Sequence, residues 1–72
     1  MITLDDQIKC VEREIAMRQR VYRKWVADGR MDKDNAAQEV ERMTAVLRTL
    51  TVLRRRCEQL DDIATKLQRL IA

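Results

Sequence analysis

The sequence is marked first by what it lacks, because its 72 residues include no histidine, no proline, no phenylalanine and no serine. Without histidine, the commonest general base and a common metal ligand are missing, and no cysteine or carboxylate spacing matches a metal site. Catalysis would have to use carboxylates, lysine, tyrosine or a cysteine without an imidazole partner. We therefore expect a protein that is not an enzyme and that holds no metal or cofactor.

Cysteine and long apolar runs are also scarce. Cys10 and Cys57 are the only thiols, and one pair of cysteines is a poor disulfide framework. We expect both to be small packing residues rather than reactive groups. Neither a signal-peptide-like segment nor an apolar run of about 18 residues is present, so the pattern indicates the cytoplasm and no membrane span.

The first helix is predicted over residues 4–28. Thr3 and Asp6 have the spacing of a capping box at its start. Apolar residues then recur in steps of four and three, which is typical of a helix packed on another helix. The predicted seam consists of Leu4, Ile8, Val11, Ile15, Tyr22 and Trp25. Arg18 interrupts it, and we expect this arginine to pair with Glu14 one turn earlier.

A turn over residues 29–32 joins this helix to a second one, predicted over residues 33–71. Gly29 suits the left-handed position that ends a helix, and Asp32 can cap the next helix. Such a short connection joins antiparallel neighbours. The second apolar stripe comprises Ala36, Val40, Met43, Leu47, Leu50, Leu53, Cys57, Leu60, Ala64, Leu67 and Ile71. The fold class is therefore all-α: a coiled-coil-like antiparallel hairpin, in one domain of residues 1–72.

Two consecutive three-residue steps, ending at Leu50 and Leu53, rotate the second stripe around its helix and leave open whether the helix bends there. Counting back from the turn sets residue i opposite roughly residue 62 − i. This register predicts charge pairs between the arms, namely Arg55 and Arg56 with Asp5 and Asp6, and Arg18, Arg20 and Arg23 with Glu39 and Glu41.

The second helix outruns the first, and residues 58–72 have no cover within the hairpin. Their apolar face is wide, which favours more than one neighbouring helix. We expect this association segment to form a homodimer in a four-helix arrangement whose orientation the sequence leaves open. The predicted interface residues are Leu60, Ile63, Ala64, Leu67, Leu70 and Ile71.

Two further clusters are candidate binding sites. Aromatic and basic residues gather at the hairpin tip, as in binding hot spots: Tyr22, Arg23, Lys24, Trp25 and Arg30. The alternative is structural, with both rings packed on the small residues Ala36, Ala37 and Val40. A second cluster could grip nucleic-acid phosphates: Arg48, Arg54, Arg55 and Arg56. Its alternative is pairing with the other arm and solvation.

The run from Cys10 to Tyr22, with the Gly29-Arg30-Met31 turn and later Met43 and Ala45-Val46-Leu47, resembles a group of small proteins encoded by bacteriophages and prophages of proteobacteria. Their shared pattern is REIAMR-x-RVY, GRM and M-x-AVL, and it ends near Leu50. The resemblance implies a phage accessory protein in a bacterial cytoplasm and carries no catalytic residues. Arg23 stands where many relatives have proline, which predicts a straighter first helix here.

These observations favour a non-enzymatic interaction protein that acts as a helical homodimer on a host or phage protein. Two alternatives remain. One is a nucleic-acid-binding phage regulator that uses the arginine cluster above, or Arg20, Arg23, Lys24 and Arg30. The other is a structural coiled-coil subunit.

Overall fold

The chain folds into two α-helices, as seen in a computed structural model that describes residues 1–71. Helix α1 spans Leu4–Ala27 and helix α2 spans Lys33–Ile71, and residues 1–71 contain no strand. The molecule is elongated, with extents of 65 × 22 × 13 Å. The all-helical prediction is confirmed. Ala72, the last residue of the predicted association segment, lies outside the described residues.

A capping box starts α1, as predicted. The Asp6 N–H donates to Oγ1 of Thr3 at 3.1 Å, and the Thr3 N–H donates to Oδ2 of Asp6 at 3.0 Å. Two N–H groups that have no partner within the helix are thereby satisfied. Hydrogen bonds from the Thr3 backbone and then from its side chain lower the pKa of Asp6, because both favour the charged carboxylate.

Helix α1 ends in a Schellman motif built around Gly29. The Gly29 N–H donates to the Val26 carbonyl at 3.1 Å and the Arg30 N–H to the Trp25 carbonyl at 2.8 Å. This pattern requires a positive φ at the residue after the cap, and Gly29 has φ 75°. The helix therefore ends at Ala27, one residue before the predicted boundary.

Helix α2 begins at an aspartate cap and continues without a break. Oδ2 of Asp32 accepts from the Asn35 N–H at 3.3 Å, and the Asp32 carbonyl accepts from the Ala36 N–H at 3.0 Å. No interruption occurs at residues 50–53, where the sequence left a bend open. At about 1.5 Å per residue, α2 is about 58 Å long and α1 about 36 Å.

The seam between the helices is narrow. Among residues 1–71, only Ile8, 3% exposed, and Ala36 are buried. The other apolar seam residues are half-buried: Leu4, Val11, Ile15, Tyr22, Val26, Val40, Met43, Leu47 and Leu50. The prediction for Trp25 is wrong, since this residue is 40% exposed and Val26 takes the seam position instead. One chain thus provides little core of its own.

The predicted register is wrong by about three residues. Asp5 pairs with Arg54 across the arms, at 3.0 Å, rather than with Arg55 or Arg56. The cause is the turn: α1 ends at Ala27 and α2 starts at Lys33, so the chain folds back near residue 30 and the turn sets residue i opposite about 60 − i. The Asp5–Arg54 pair gives 59 − i, within one residue of this value.

Two other charge predictions concern pairs near the middle of the arms. Glu39 pairs with Arg42 on its own helix at 2.8 Å, so its predicted pairing with the α1 arginines is wrong. Arg18 pairs with Glu14 at 3.1 Å, as expected. Pairs three or four residues apart form within one helix irrespective of how the arms are aligned, whereas pairs between arms depend on the register.

The seam and the apolar stripe of α2 separate after Leu50. The half-buried face continues one turn further, from Leu47 to Thr51 and from Leu50 to Arg54. Leu53, in contrast, is 48% exposed. Oγ1 of Thr51 donates to the Leu47 carbonyl at 2.8 Å, which satisfies a hydroxyl at the seam. From this level onward, the apolar side chains of α2 face away from α1.

Candidate interaction surfaces

The largest candidate surface is an apolar line along α2, here called the outer stripe. It consists of Val46, Leu53, Cys57, Leu60, Ala64, Leu67 and Ile71, all exposed. At about 100° per residue, these positions lie roughly 100° around α2 from the face that packs on α1. Leu60 is 66% exposed and Ile71 84% exposed. A run of exposed apolar side chains on one face marks a surface for association.

Ile63 and Leu70 widen the outer stripe, and they are 53% and 82% exposed. Both lie past the level at which Arg54 pairs with Asp5, so α1 does not reach them. The overhang formed by residues 58–71 extends about 20 Å beyond α1. All six residues of the predicted oligomer interface are thus exposed in the single chain.

A groove at the open end of the hairpin lies beside the start of the outer stripe. This open-end groove has a volume of about 860 Å³. Ile2, Cys10 and Val11 line it from the α1 arm, with Val46 and Leu50 from α2. Asp6, Gln7, Lys9 and Arg13 complete its lining. Because Val46 belongs to both features, the apolar part of the groove adjoins the outer stripe.

A second groove, the tip groove, lies near the turn and has a volume of about 690 Å³. Tyr22, Val26, Ala36, Ala37 and Val40 form its apolar floor. Gln19, Arg23, Lys33, Glu41 and Thr44 complete its lining. The small alanines opposite the tyrosine ring create the depression, as the pattern of α2 had suggested.

The two grooves open on opposite faces of the hairpin. Ala37 lines the tip groove and Val46 the open-end groove. These residues are nine positions apart on one helix, so their side chains point about 180° apart. A partner in one groove therefore leaves the other free.

Only part of the predicted tip cluster lines the tip groove. Tyr22 and Arg23 line the tip groove, but Lys24, Trp25 and Arg30 do not. The Trp25 ring lies beside that of Tyr22, with centroids 5.9 Å apart and planes tilted by 35°. The sequence did not identify Lys33 and Glu41 as part of this groove. Both lie about one helical turn from Ala36 and Ala37, whose small side chains could have indicated them.

The arginine cluster does not form one face. Arg54 is half-buried and engaged with Asp5, while Arg48, Arg55 and Arg56 are exposed. Arg48 and Arg55 are seven residues apart and share a side of α2, whereas Arg56 points about 100° away from Arg55. Two arginines, rather than four, therefore point in a common direction.

Both cysteines are free and exposed, so the prediction that they are packing residues is wrong for the single chain. Cys10 and Cys57 both lie outside the face on which the two helices pack. Cys10 lines the open-end groove and Cys57 belongs to the outer stripe.

Comparison with models of known protein families, with curated proteins and with solved structures finds no match. The resemblance to phage-encoded proteins therefore stays a prediction. Neither helix, as far as Ile71, combines the length and the apolar character that crossing a membrane requires. Within residues 1–71, no three Cys, Asp or Glu residues are grouped so that they could hold a metal ion.

Proposed function

We propose that this chain is a non-enzymatic interaction protein, a phage or prophage accessory protein of the bacterial cytoplasm, which works as a homodimer. The observation that carries the proposal is the overhang of α2, whose outer stripe is exposed from Leu53 to Ile71. Small cores are seldom stable without disulfides, metals or association. The cysteines are free, and association is the remaining source of stability.

The exposed side chains of the overhang can offset much of the cost of association. Leu60, Ile63, Leu67, Leu70 and Ile71 are each more than half exposed. Fully burying such a side chain contributes about 1.5–3 kcal/mol, so each retains on the order of 1 kcal/mol. Two copies provide on the order of 10 kcal/mol, which is comparable to the cost of association, about 4–15 kcal/mol.

The tip groove supports the second part of the proposal, which is binding to a host or phage protein. Its apolar floor is bordered by Arg23, Lys33 and Glu41, and an apolar depression with a charged rim is the usual form of a protein-binding surface. A dimer would present two such grooves, so it could bridge or occlude a partner. The groove is on the face opposite the outer stripe, which keeps both functions compatible.

The decisive experiment measures the oligomeric state of the full chain and of a variant with an acidic outer stripe, Leu60→Asp. We expect the full chain to sediment as a dimer and the variant as a monomer, because a charge in an apolar interface is strongly unfavourable. Lys66→Asp is the matched control, because position 66 lies about 120° from the stripe on the same helix. A monomeric full chain would refute the proposal.

The partner-binding part has its own test, which uses bait variants in a pull-down from bacterial lysate. Arg23→Glu changes the rim of the tip groove, and Arg20→Glu is its control outside the groove lining. We expect capture of a discrete protein by the wild-type chain and by the control, and its loss with Arg23→Glu. Equal capture by both variants would remove the tip groove from the proposal.

Nucleic-acid binding is the rival function, and Arg48 and Arg55 are the observation in its favour, since they share a side of α2 and are exposed. An anisotropy titration with duplex DNA and with single-stranded RNA separates the two functions. Real phosphate contacts weaken steeply as salt increases. Tight, salt-dependent binding that is lost in Arg48→Gln/Arg55→Gln would establish the rival.

A further inference from the structure

The open-end groove and the overhang of α2 are two unsatisfied apolar features of the same chain. Ile2, Cys10, Val46 and Leu50 line the groove, and the overhang comprises residues 58–71. They cannot meet within one molecule, because α2 is a straight, unbroken helix that carries the overhang away from the groove. In a second copy of the chain, the groove can find a helix to fill it and the overhang can find a surface to cover it.

We propose that the open-end groove is the docking site for the overhang of a second copy, which packs antiparallel on α2. This inference rests on the proposed homodimer and specifies its arrangement. A two-fold axis then makes the exchange mutual, so that each copy fills the groove of the other. Such a two-fold assembly is closed, because the stripe and the groove of each copy are both occupied by the other copy.

The overhang is long enough to fill the groove. The groove is lined by α1 from Asp6 to Arg13, which is about 10 Å at the rise of a helix, and by Ile2 ahead of the start of α1. The overhang is about 20 Å long. A helix lying on the groove would contact α1 and α2 together, and this meets the need of a wide apolar face for two neighbours.

The register follows from the outer stripe itself. The stripe runs from Val46 to Ile71, and its midpoint falls between Glu58 and Gln59. An antiparallel pairing centred there places Ile71 over Val46 of the second copy and Leu67 over Leu50. Both target residues line the groove, so the exposed apolar end of the overhang meets the apolar residues of the groove.

A parallel pairing of the two α2 helices is the main alternative within a dimer. It would place Leu60 against Leu60 and Leu67 against Leu67 along the overhangs. Both open-end grooves would then stay empty, because each overhang would continue beside its twin and away from the grooves. The antiparallel arrangement covers the stripe and the grooves at once, and for this reason we favour it.

The antiparallel dimer brings Cys10 of one copy close to position 68 of the other, two positions that are far apart within one chain. The Asp5–Arg54 pair sets Cys10 level with Thr49, and Thr49 faces position 68 of the second copy in the antiparallel register. Position 68 also points toward α1 of that copy. Within one chain, positions 49 and 68 are 19 residues apart on a helix, or about 28 Å, so a bridge from Cys10 to position 68 must join two molecules.

The test is thiol cross-linking of the full-length double variant Cys57→Ser/Gln68→Cys under mild oxidation. We expect covalent dimers, and peptide mapping should show a bridge between Cys10 and position 68. The matched control is Cys57→Ser/Arg69→Cys, whose new thiol points about 100° away from position 68 around the overhang. It should cross-link at least about 10-fold more slowly, because its sulfur faces solvent rather than the groove.

Sedimentation of both variants under reducing conditions distinguishes failure of the homodimer from failure of the antiparallel register. A reversible dimer with rapid bridging from Cys10 to position 68 supports the register. A reversible dimer that bridges position 68 to position 68, or bridges both variants equally, overturns the register and leaves the homodimer standing. A monomer under reducing conditions overturns both.

Discussion

Truncating Leu60 to alanine tests how much the outer stripe contributes to association. The side chain is 66% exposed in one chain, so its loss should change the stability of a monomer by no more than about 0.5 kcal/mol. In a dimer, the same leucine is covered. Deleting a buried leucine side chain costs about 2–5 kcal/mol, and we take the lower end because the site lies near solvent.

The substitution occurs twice in a homodimer, and the two losses sum to about 4 kcal/mol, or a dissociation constant about 1,000-fold weaker. Alanine is the best helix former, so the helix itself is not weakened. Sedimentation velocity over a concentration series measures the dissociation constant, and far-UV circular dichroism checks helicity.

Thr65→Ala is the control for Leu60→Ala. Position 65 lies about 140° from Leu60 around α2, and its hydroxyl donates only to the Asp61 carbonyl, at 2.9 Å. We expect this variant to dimerise like the wild type. The reasoning fails when Leu60→Ala weakens the dimer no more than Thr65→Ala does.

Three smaller predictions concern the hairpin itself. Gly29→Ala should lower the free energy of unfolding in urea by about 1 kcal/mol, because a residue with a Cβ is strained at this positive φ. The strain is in the backbone alone, since a Cβ at position 29 would meet no atom within 4 Å. An unchanged midpoint of the urea transition would contradict the role of Gly29 in the turn. Arg54→Gln should cost less than about 1 kcal/mol, since its ion pair with Asp5 is largely exposed, and a double-mutant cycle with Asp5→Asn measures the coupling. Folding lowers the pKa of Asp6, so the Asp6 carboxylate stabilises the folded state above its ordinary pKa of 3.8, and this stabilisation is lost as the pH falls through the pKa of the folded state. In an acid titration, Asp6→Asn should therefore lose stability less steeply than the wild type.

The ends of the helices were predictable from the sequence because their causes are local. Thr3, Gly29 and Asp32 each act on backbone groups within a few residues, so their chemistry alone fixes the outcome. The pair of Arg18 with Glu14 belongs to the same class. An unpaired overhang was likewise predictable, since it follows from the unequal lengths of two uninterrupted helices.

The register was not predictable to the residue, because it depends on how the chain closes the turn. The Schellman motif ended α1 early and moved the partner of Asp5 from Arg55 to Arg54. Which side chains face the seam depends instead on their angle around α1. Trp25 became exposed and Val26 became a seam residue, although both are apolar and equally consistent with the pattern.

The candidate surfaces were only partly predictable for the same reason. The exposed overhang followed from length alone, but a groove requires both arms in their actual alignment. Cys10 and Val46 are 36 positions apart in sequence, yet they line one groove because the register sets α1 against that part of α2. Their juxtaposition has no signal in either helix considered separately.

Sedimentation equilibrium of the full-length chain over a wide concentration range, under reducing conditions, tests the central claim most directly. We expect a reversible dimer with twice the 8.5 kDa mass of one chain, with no larger species at the highest concentration. A well-folded chain that keeps the mass of a monomer at every concentration would contradict the proposed homodimer, because the chain would then be stable with its outer stripe exposed to water.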